Sequence, residues 1–272
     1  MTINDKHIMR TFMAALAVAA FCSCSKSEKT PDNTIEFETL SLHEVYRLDN
    51  TAKVFMSEND VCYEDSAIMI LPVKIYGQDI TPLRDSILKA AFDTIASLEE
   101  AMKSYFSKVA GDLGYTAVLA PDSVPRTDSD GMSLINGEIF SMSPEILTYS
   151  VSNYQYFPAA AHGLTTTQYI NYHIPGGKIL TLDNLFTPEG LEKLPAMLQK
   201  RAKQLAPAIG PTSIDALPTM GNFYISLDDA IVFVYQPYEV ASYAQGAIAI
   251  SFYPYQLTEL LTPEGQKIFH LE

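Results

Sequence analysis

Phe223-Tyr224-Ile225-Ser226-Leu227-Asp228-Asp229-Ala230-Ile231-Val232-Phe233-Val234-Tyr235 decides the fold class. Two runs rich in β-branched and aromatic residues flank Leu227-Asp228-Asp229, a tight turn. Parallel neighbours need a crossover of many residues, so this link implies an antiparallel hairpin. Pro175-Gly176-Gly177 makes a second such link, between strands read at Thr165–His173 and Lys178–Thr181. Further strands are predicted at Met132–Ser141, Ile146–Tyr156 and Ala247–Tyr253. Upstream, Ile35, Phe37 and Thr39 alternate with Glu36 and Glu38, and Ala67–Tyr76 reads as a strand interrupted by Pro72, which suits an edge.

Helices are few. Thr81 as a cap and Pro82 in the first turn begin one. Its apolar residues recur at three and four from Leu83 to Val109, so it is expected to end near Gly111 or Gly114. A second starts at Thr187-Pro188-Glu189-Gly190, carries Leu191, Leu194, Leu198, Ala202 and Leu205, and should be kinked or split at Pro195. The same start recurs as Thr262-Pro263-Glu264-Gly265, which we read as one capping solution used twice rather than a domain repeat. The expected architecture is α+β: antiparallel sheet with one long and one shorter helix packed on a face. Residues 35–130 form an N-terminal α+β region and residues 131–272 a C-terminal α+β domain, separated by a turn-rich loop over 120–131.

The N-terminus carries an address. Lys6 and Arg10 precede an uncharged apolar run from Phe12 to Phe21, too short to span a bilayer. The run ends in Phe21-Cys22-Ser23-Cys24, and a small residue before a cysteine is the lipoprotein-processing signature. Residues 1–23 are therefore expected to be a lipoprotein signal peptide, Cys24 the acylated residue and residues 24–34 a polar tether. Cys62 is then the lone cysteine of the mature domain, which excludes an internal disulfide and reads as core filler. The expected place is the cell envelope, lipid-anchored, on the outer membrane.

Charge narrows the partners. The chain has a net charge of −14, and removal of residues 1–23 leaves 16 basic against 31 acidic residues. Nucleic acid binding rests on cationic contacts to phosphate, so no nucleic-acid partner is expected. A cationic partner could be steered by this balance. Sixteen tyrosines, 11 of them between Tyr149 and Tyr255, supply rigid contact area with a polar tip.

The C-terminal half carries a family pattern. Ala160-Ala161-His162-Gly163 leads into a Thr/Tyr strand ending Tyr172-His173, followed by the Gly176-Gly177-Lys178 turn and Leu180-Thr181-Leu182-Asp183-Asn184-Leu185-Phe186. Pro237-Tyr238-Glu239 and the later Gly246 complete the set. Over roughly residues 145–260 this resembles the extracytoplasmic C-terminal domain of the RsiV anti-sigma factor, also found in PdaC-type peptidoglycan deacetylases and catalogued as the DUF3298 domain of unknown function. A smaller companion domain usually precedes it, which residues 35–130 loosely match. The resemblance implies a binding role outside the cell, in RsiV towards lysozyme. The sigma-binding segment and the deacetylase's metal-binding domain have no counterpart here, so neither activity carries over.

Candidate site residues follow from these stretches. His162 could be a ligand or base, or could bond backbone at a turn where Gly163 takes a positive φ. Asp183 precedes a helix and suits a turn or capping acceptor. Glu239, at a strand end beside Tyr238 and Tyr243, is the best candidate for a functional acid. No metal is expected, because His43, His162, His173 and His270 have no ligand spacing, and no calcium loop surrounds Asp228-Asp229. No cofactor is expected either, since Gly-x-Ser-x-Gly, Gly-x-Gly-x-x-Gly and the phosphate-cradling loop are missing. The expected function is non-catalytic binding of a cationic protein such as lysozyme, or of a cell-wall glycan. The alternatives are a cell-wall hydrolase or esterase built around His162, Asp183 and Glu239, and a structural envelope lipoprotein.

Overall fold

The computed structural model describes residues 11–12, 34–49, 61–93, 100, 104–105, 108, 111, 116–119, 131–158, 160–209, 217 and 221–271. Two compact units emerge. Residues 1–138 with 153–163 form the first, and residues 139–152 with 164–272 the second. Most of the expected leader, all of the tether except Thr34, and most of the loop over 120–131 lie outside the described residues. No described helix is long and apolar enough to cross a membrane.

The first unit is built on two long antiparallel strands, β2 (Ile35–Asp49) and β3 (Val61–Ile75). The far edge of β2 is met by β4 (Thr116–Leu119) and by the two-residue β1 (Thr11–Phe12). On its other side β3 pairs with β5 (Gly131–Met142), and this pairing is parallel, against the all-antiparallel expectation. The physical reason is the long connection over residues 76–130, which carries α1 (Thr81–Phe92) and gives the chain length to cross back. Pro72 lies beyond the last β5 partner, Met69, so its missing N–H breaks no ladder on that side. Opposite it, the β2 register shifts between Glu36 and Phe37. Buried Tyr63, Ala67, Met69, Leu71, Leu83, Ile87 and Ile135 make the core, and Cys62 is buried as expected.

Two helix readings need correction. Thr81 is the first helical residue rather than the cap, and its N–H donates to the Asp79 carboxylate at 3.0 Å. The helix ends at Phe92, because Asp93 turns left-handed with φ 57° and its N–H closes on the Lys89 carbonyl. The periodicity continued to Val109 because apolar spacing does not register a single left-handed residue. Residues 94–99 lie outside the described residues, and 100, 104, 105, 108 and 111 are helical.

The second unit takes the end of β5 from Ile139 and β6 (Ile146–Tyr156) as far as Ser152, and continues through β7 (Leu164–His173) and β8 (Lys178–Leu180), paired as an antiparallel hairpin. Then come α2 (Leu182–Leu185), α3 (Pro188–Ile209) and a separate three-stranded antiparallel sheet of β9 (Phe223–Ile225), β10 (Ile231–Tyr235) and β11 (Ile248–Phe252), with β10 central. The short helix α4 (Pro263–Ile268) closes the chain. Pro195 does not split α3, which is one helix from Pro188 to Ile209. Its face of Leu194, Leu198 and Ala202 is buried in the core with Phe186, Phe223, Phe233, Tyr235, Ile250 and Leu261, and that burial outweighs the hydrogen bond a proline forfeits.

The repeated Thr-Pro-Glu-Gly start is one device used reciprocally. In each copy the threonine hydroxyl accepts from the glycine N–H, Gly190 to Thr187 at 3.0 Å and Gly265 to Thr262 at 2.9 Å. The two copies also dock on each other. The Thr187 N–H donates to the Leu260 carbonyl at 2.8 Å, and the Thr262 N–H to the Leu185 carbonyl at 2.9 Å, around an antiparallel bridge between Phe186 and Leu261. Each glycine lies against the other copy's carbonyl. A Cβ on Gly190 would fall 2.3 Å from the Leu260 oxygen, and one on Gly265 2.6 Å from the Leu185 oxygen.

That interlock predicts the sign of two substitutions. Alanine in place of a helical glycine ordinarily stabilises. Here Gly190→Ala and Gly265→Ala should each destabilise by about 2 kcal/mol through overpacking against backbone. A rise in melting temperature for either variant would contradict the geometry.

Asp65 gives a second prediction. It points into the first unit's core, 2% exposed, with Ser133 as its neighbour on β5 and Glu44 opposite on β2. Its Oδ1 has no hydrogen-bond partner, and burial, then the Glu44 charge, pushes its pKa up to about 8. The folded chain then holds a proton that the unfolded chain has released above its ordinary 3.8. The stability tied to Asp65 is complete below that value and is lost as pH rises to about 8. Asp65→Asn should flatten the urea-midpoint profile across this window, and an unchanged slope would refute the assignment.

Candidate functional site

A site must first be positioned. In the second unit β9 uses one edge to pair with β10, and its other edge is satisfied by side-chain amides. Buried Asn171 on β7 accepts the Ile225 N–H at 2.9 Å through Oδ1 and donates from Nδ2 to the Phe223 carbonyl at 2.9 Å. The Thr148 hydroxyl lies 2.9 Å from both the Asn171 Oδ1 and the Ile225 carbonyl. Two further amides extend the clasp. Asn222 accepts from the Tyr169 N–H and donates to the Thr167 carbonyl, and Gln236 accepts from the Thr167 N–H and donates to the same carbonyl. Each amide reproduces the donor and acceptor of a peptide group, so β7 holds the small sheet without a continuous ladder.

Alternation then sorts the small sheet's residues. Phe223, Ile225, Ile231, Phe233, Tyr235, Ile248, Ile250 and Phe252 face the core. Tyr224, Val232, Val234, Ala249 and Ser251 face the other way, with Val232 opposite Ser251 and Val234 opposite Ala249. Phe140, Tyr169 and Tyr224 wall one side of this outward face, their rings 4.8–5.1 Å apart in edge-on and tilted contacts. Tyr169 and Tyr224 pack against Ala230, Val232 and Val234, and burial raises both tyrosines' pKa.

Two hollows open on this face, and residues two apart on β10 place them about 7 Å from each other. The larger, about 520 Å³, includes Thr165, Tyr169, Val234, Gln236 and Tyr243, with no charged side chain among the described residues that line it. The smaller, about 310 Å³, includes Tyr224, Asp228, Val232, Ser251 and Tyr253. Stacked tyrosine pairs stand at both ends. Tyr238 lies on Tyr243 at 5.7 Å beside the larger hollow, and Tyr253 on Tyr255 at 5.8 Å beside the smaller. Tyr238 and Tyr255 are the most exposed of these, at 58% and 67%. Asp228 accepts from the Ser226 hydroxyl at 2.5 Å and from the Tyr253 hydroxyl at 3.1 Å, and these bonds hold its pKa below the ordinary aspartate value.

The sequence candidates divide. Tyr238 and Tyr243 are brought together at this face, and Tyr238 adopts φ 73° to reach its place. Glu239 is a turn acceptor, taking the Gln236 N–H at 2.6 Å. Asp183 stands exposed in the first turn of α2, and the capping is done by Thr181 and Asn184, which accept each other's N–H groups. His162 and Gly163 belong to the first unit. The His162 ring lies 3.1 Å from the Gly163 carbonyl, the backbone bond anticipated for it. Gly163 does not have the expected positive φ. A Cβ there would fall 2.3 Å from the Tyr154 hydroxyl and 2.4 Å from its ring, so the end of that side chain would have to shift. Among the described residues, no group of three histidine, cysteine, aspartate or glutamate side chains is placed to hold a metal.

Sequence reasoning missed Phe140, Tyr169, Tyr224, Asp228, Tyr253 and Tyr255. One signal was available. Ile231–Tyr235 is apolar at every position, although a strand with one face in water alternates. Val232 and Val234 therefore announced a covered or ligand-facing second side.

Comparison with known proteins is consistent with this division. Residues 183–255 match the family model DUF3298, a protein of unknown function. That stretch contains Asp183, Asp228, Tyr238, Glu239 and Tyr243 but neither His162 nor Gly163. No curated protein matches the chain. Among solved structures, a DUF3298 family member from Bacteroides fragilis is similar with a TM-score of 0.63 at 19% identity, over 88% of this chain and 98% of the other. A DUF3298 family protein from Pseudomonas aeruginosa is similar with a TM-score of 0.56 at 16% identity, over 85% and 96%. These likenesses establish the shared mixed α+β fold.

The structural role of the Ala-His-Gly stretch is testable. Gly163→Ala should lower stability by about 1–3 kcal/mol as Tyr154 is displaced. His162→Ala, at an exposed position, should change the melting temperature by less than about 2 °C. The reverse order would mean that the histidine carries the motif.

Proposed function

We propose that this chain is a lipid-anchored cell-envelope protein whose second unit binds a partner without catalysis. The observation that carries this reading is the outward face of the three-stranded sheet, a trough walled by tyrosines, of which Tyr238, Tyr243, Tyr253 and Tyr255 are exposed. Interfaces concentrate their energy in aromatic anchors set around small, desolvating floors. The trough has that composition, with Val232, Val234, Ala249 and Ser251 below and six tyrosines around it. The hydrolase alternative draws no support from Glu239, whose carboxylate is committed to a turn, or from Asp183, which stands exposed beside a cap made by others.

The leader pattern ending at Cys24 supports anchoring at the envelope, with residues 24–34 as a tether. The resemblance to RsiV and the acidic balance favour a basic protein such as lysozyme as the partner, ahead of a cell-wall glycan. The companion-domain reading of residues 35–130 belongs to the same proposal.

Two measurements test it. Cys24→Ala should abolish palmitate incorporation and move the protein from the membrane to the soluble fraction; unchanged fractionation would remove the anchor. Calorimetric titration of the mature chain with lysozyme should give heat that weakens from low to moderate salt. No heat at either salt would remove the basic-protein partner.

A further inference from the structure

We infer that the hollow at Asp228 is a receptor for a basic side chain, an arginine before a lysine, presented by a partner segment lying in the trough. This rests on the binding reading above and names the chemistry that the site takes. The Asp228 carboxylate is held by two neutral hydroxyls, those of Ser226 and Tyr253. They fix its orientation without cancelling its charge, and no described cation pairs with it. The Asp228 backbone N–H also bonds the carboxylate, and a carboxylate has about four lone-pair sites, so acceptor capacity is left for a guanidinium, which can meet it with two parallel bonds.

The surroundings select the same ligand. Tyr224 and Tyr253 line the hollow with Asp228, and aromatic faces attract cations. Ala230, Val232 and Ala249 offer apolar contact for the methylene stem that an arginine or lysine buries behind its charge. Among the described residues no basic side chain lines either hollow to repel a cation. Among the described residues Asp228 is in turn the only charged one lining the two, so the selectivity would come from one carboxylate. A neutral sugar could stack on Tyr255 or Tyr253 and donate a hydroxyl to Asp228, but it carries no positive charge for the carboxylate to pair with.

The test uses the mature full-length chain and a fluorescein-labelled dodecapeptide of alternating arginine and glycine. A control peptide replaces every arginine by citrulline, its neutral isostere, and an N-acetylglucosamine hexamer serves as the glycan arm. The arginine peptide should bind and the citrulline peptide should not. Asp228→Asn should weaken binding about tenfold or more, as loss of a charge-assisted bond implies. Asp229→Asn makes the same charge change one residue away, outside the hollow's lining, and should cost less than about twofold. Tyr224→Ser should weaken binding several-fold with the charge intact, and covers the case in which Asp228→Asn disturbs the turn.

Equal losses for the two aspartate variants would overturn the inference in favour of diffuse charge attraction. Equal binding of the two peptides would overturn it as well. Binding of the hexamer, with no displacement by the arginine peptide, would assign the trough to glycan instead. If lysozyme binds the intact chain and Asp228→Asn alike, this inference fails while the binding reading stands.

Discussion

A buried side-chain amide does the work of a strand in this protein. Asn171 supplies β9 with the acceptor and donor that a neighbouring backbone would have given, to Ile225 and Phe223, and Asn222 and Gln236 do the same for Thr167 and Tyr169. Leaving a buried N–H or carbonyl unpaired costs about 1–3 kcal/mol each, so the small sheet can sit beside β7 only with these residues in place. Because the join is made by side chains, β9 is released from the register of a continuous ladder. The small sheet packs one face into the core; on the other, Tyr169 and Tyr224 pack over Ala230, Val232 and Val234, while Ala249 stays exposed. The outward face, with its tyrosines and two hollows, exists as a consequence of that join.

The reciprocal Thr-Pro-Glu-Gly docking solves a different problem in the same core. The segments before α3 and α4 need partners for their backbone groups, and each supplies the other's. Close approach of backbone to backbone leaves no room for a Cβ at Gly190 or Gly265, which explains the glycine in a helical first turn where Ala would otherwise be preferred. Glu264 ties this region outward through its ion pair with Lys178 on β8. Core tyrosines and site tyrosines are thereby separated: Tyr149, Tyr172 and Tyr235 are buried, while Tyr238, Tyr243, Tyr253 and Tyr255 remain exposed at the trough.

Local chemistry was legible in the sequence. The hairpin at Leu227-Asp228-Asp229, the strands over Ile146–Tyr156 and Ile231–Tyr235, and the start of α3 follow from alternation and turn residues, and the structure has them. Non-local facts were not legible. The parallel pairing of β3 with β5 depends on where a long connection returns, which no spacing encodes. The left-handed Asp93 ends α1 inside an unbroken apolar periodicity. What crowds Gly163 is the Tyr154 side chain, across the turn between two strands, not its own backbone angles. Tyr238 and Tyr243 were found because their sequence neighbourhood was aromatic and polar, whereas Tyr169, Tyr224 and Tyr253 converge only after folding.

The central claim is that binding occurs on the outward face of the three-stranded sheet. Its two sides carry distinct methyl probes on the same strands, Ala230, Val232, Val234 and Ala249 outward and Ile231, Ile248 and Ile250 inward. Methyl-resolved NMR of the mature chain titrated with lysozyme reads both at once. The account predicts saturable shifts in the outward set with the inward set nearly still. Shifts confined to the exposed Ile68 and Ile70 of the first unit, with the outward methyls unmoved, would contradict it.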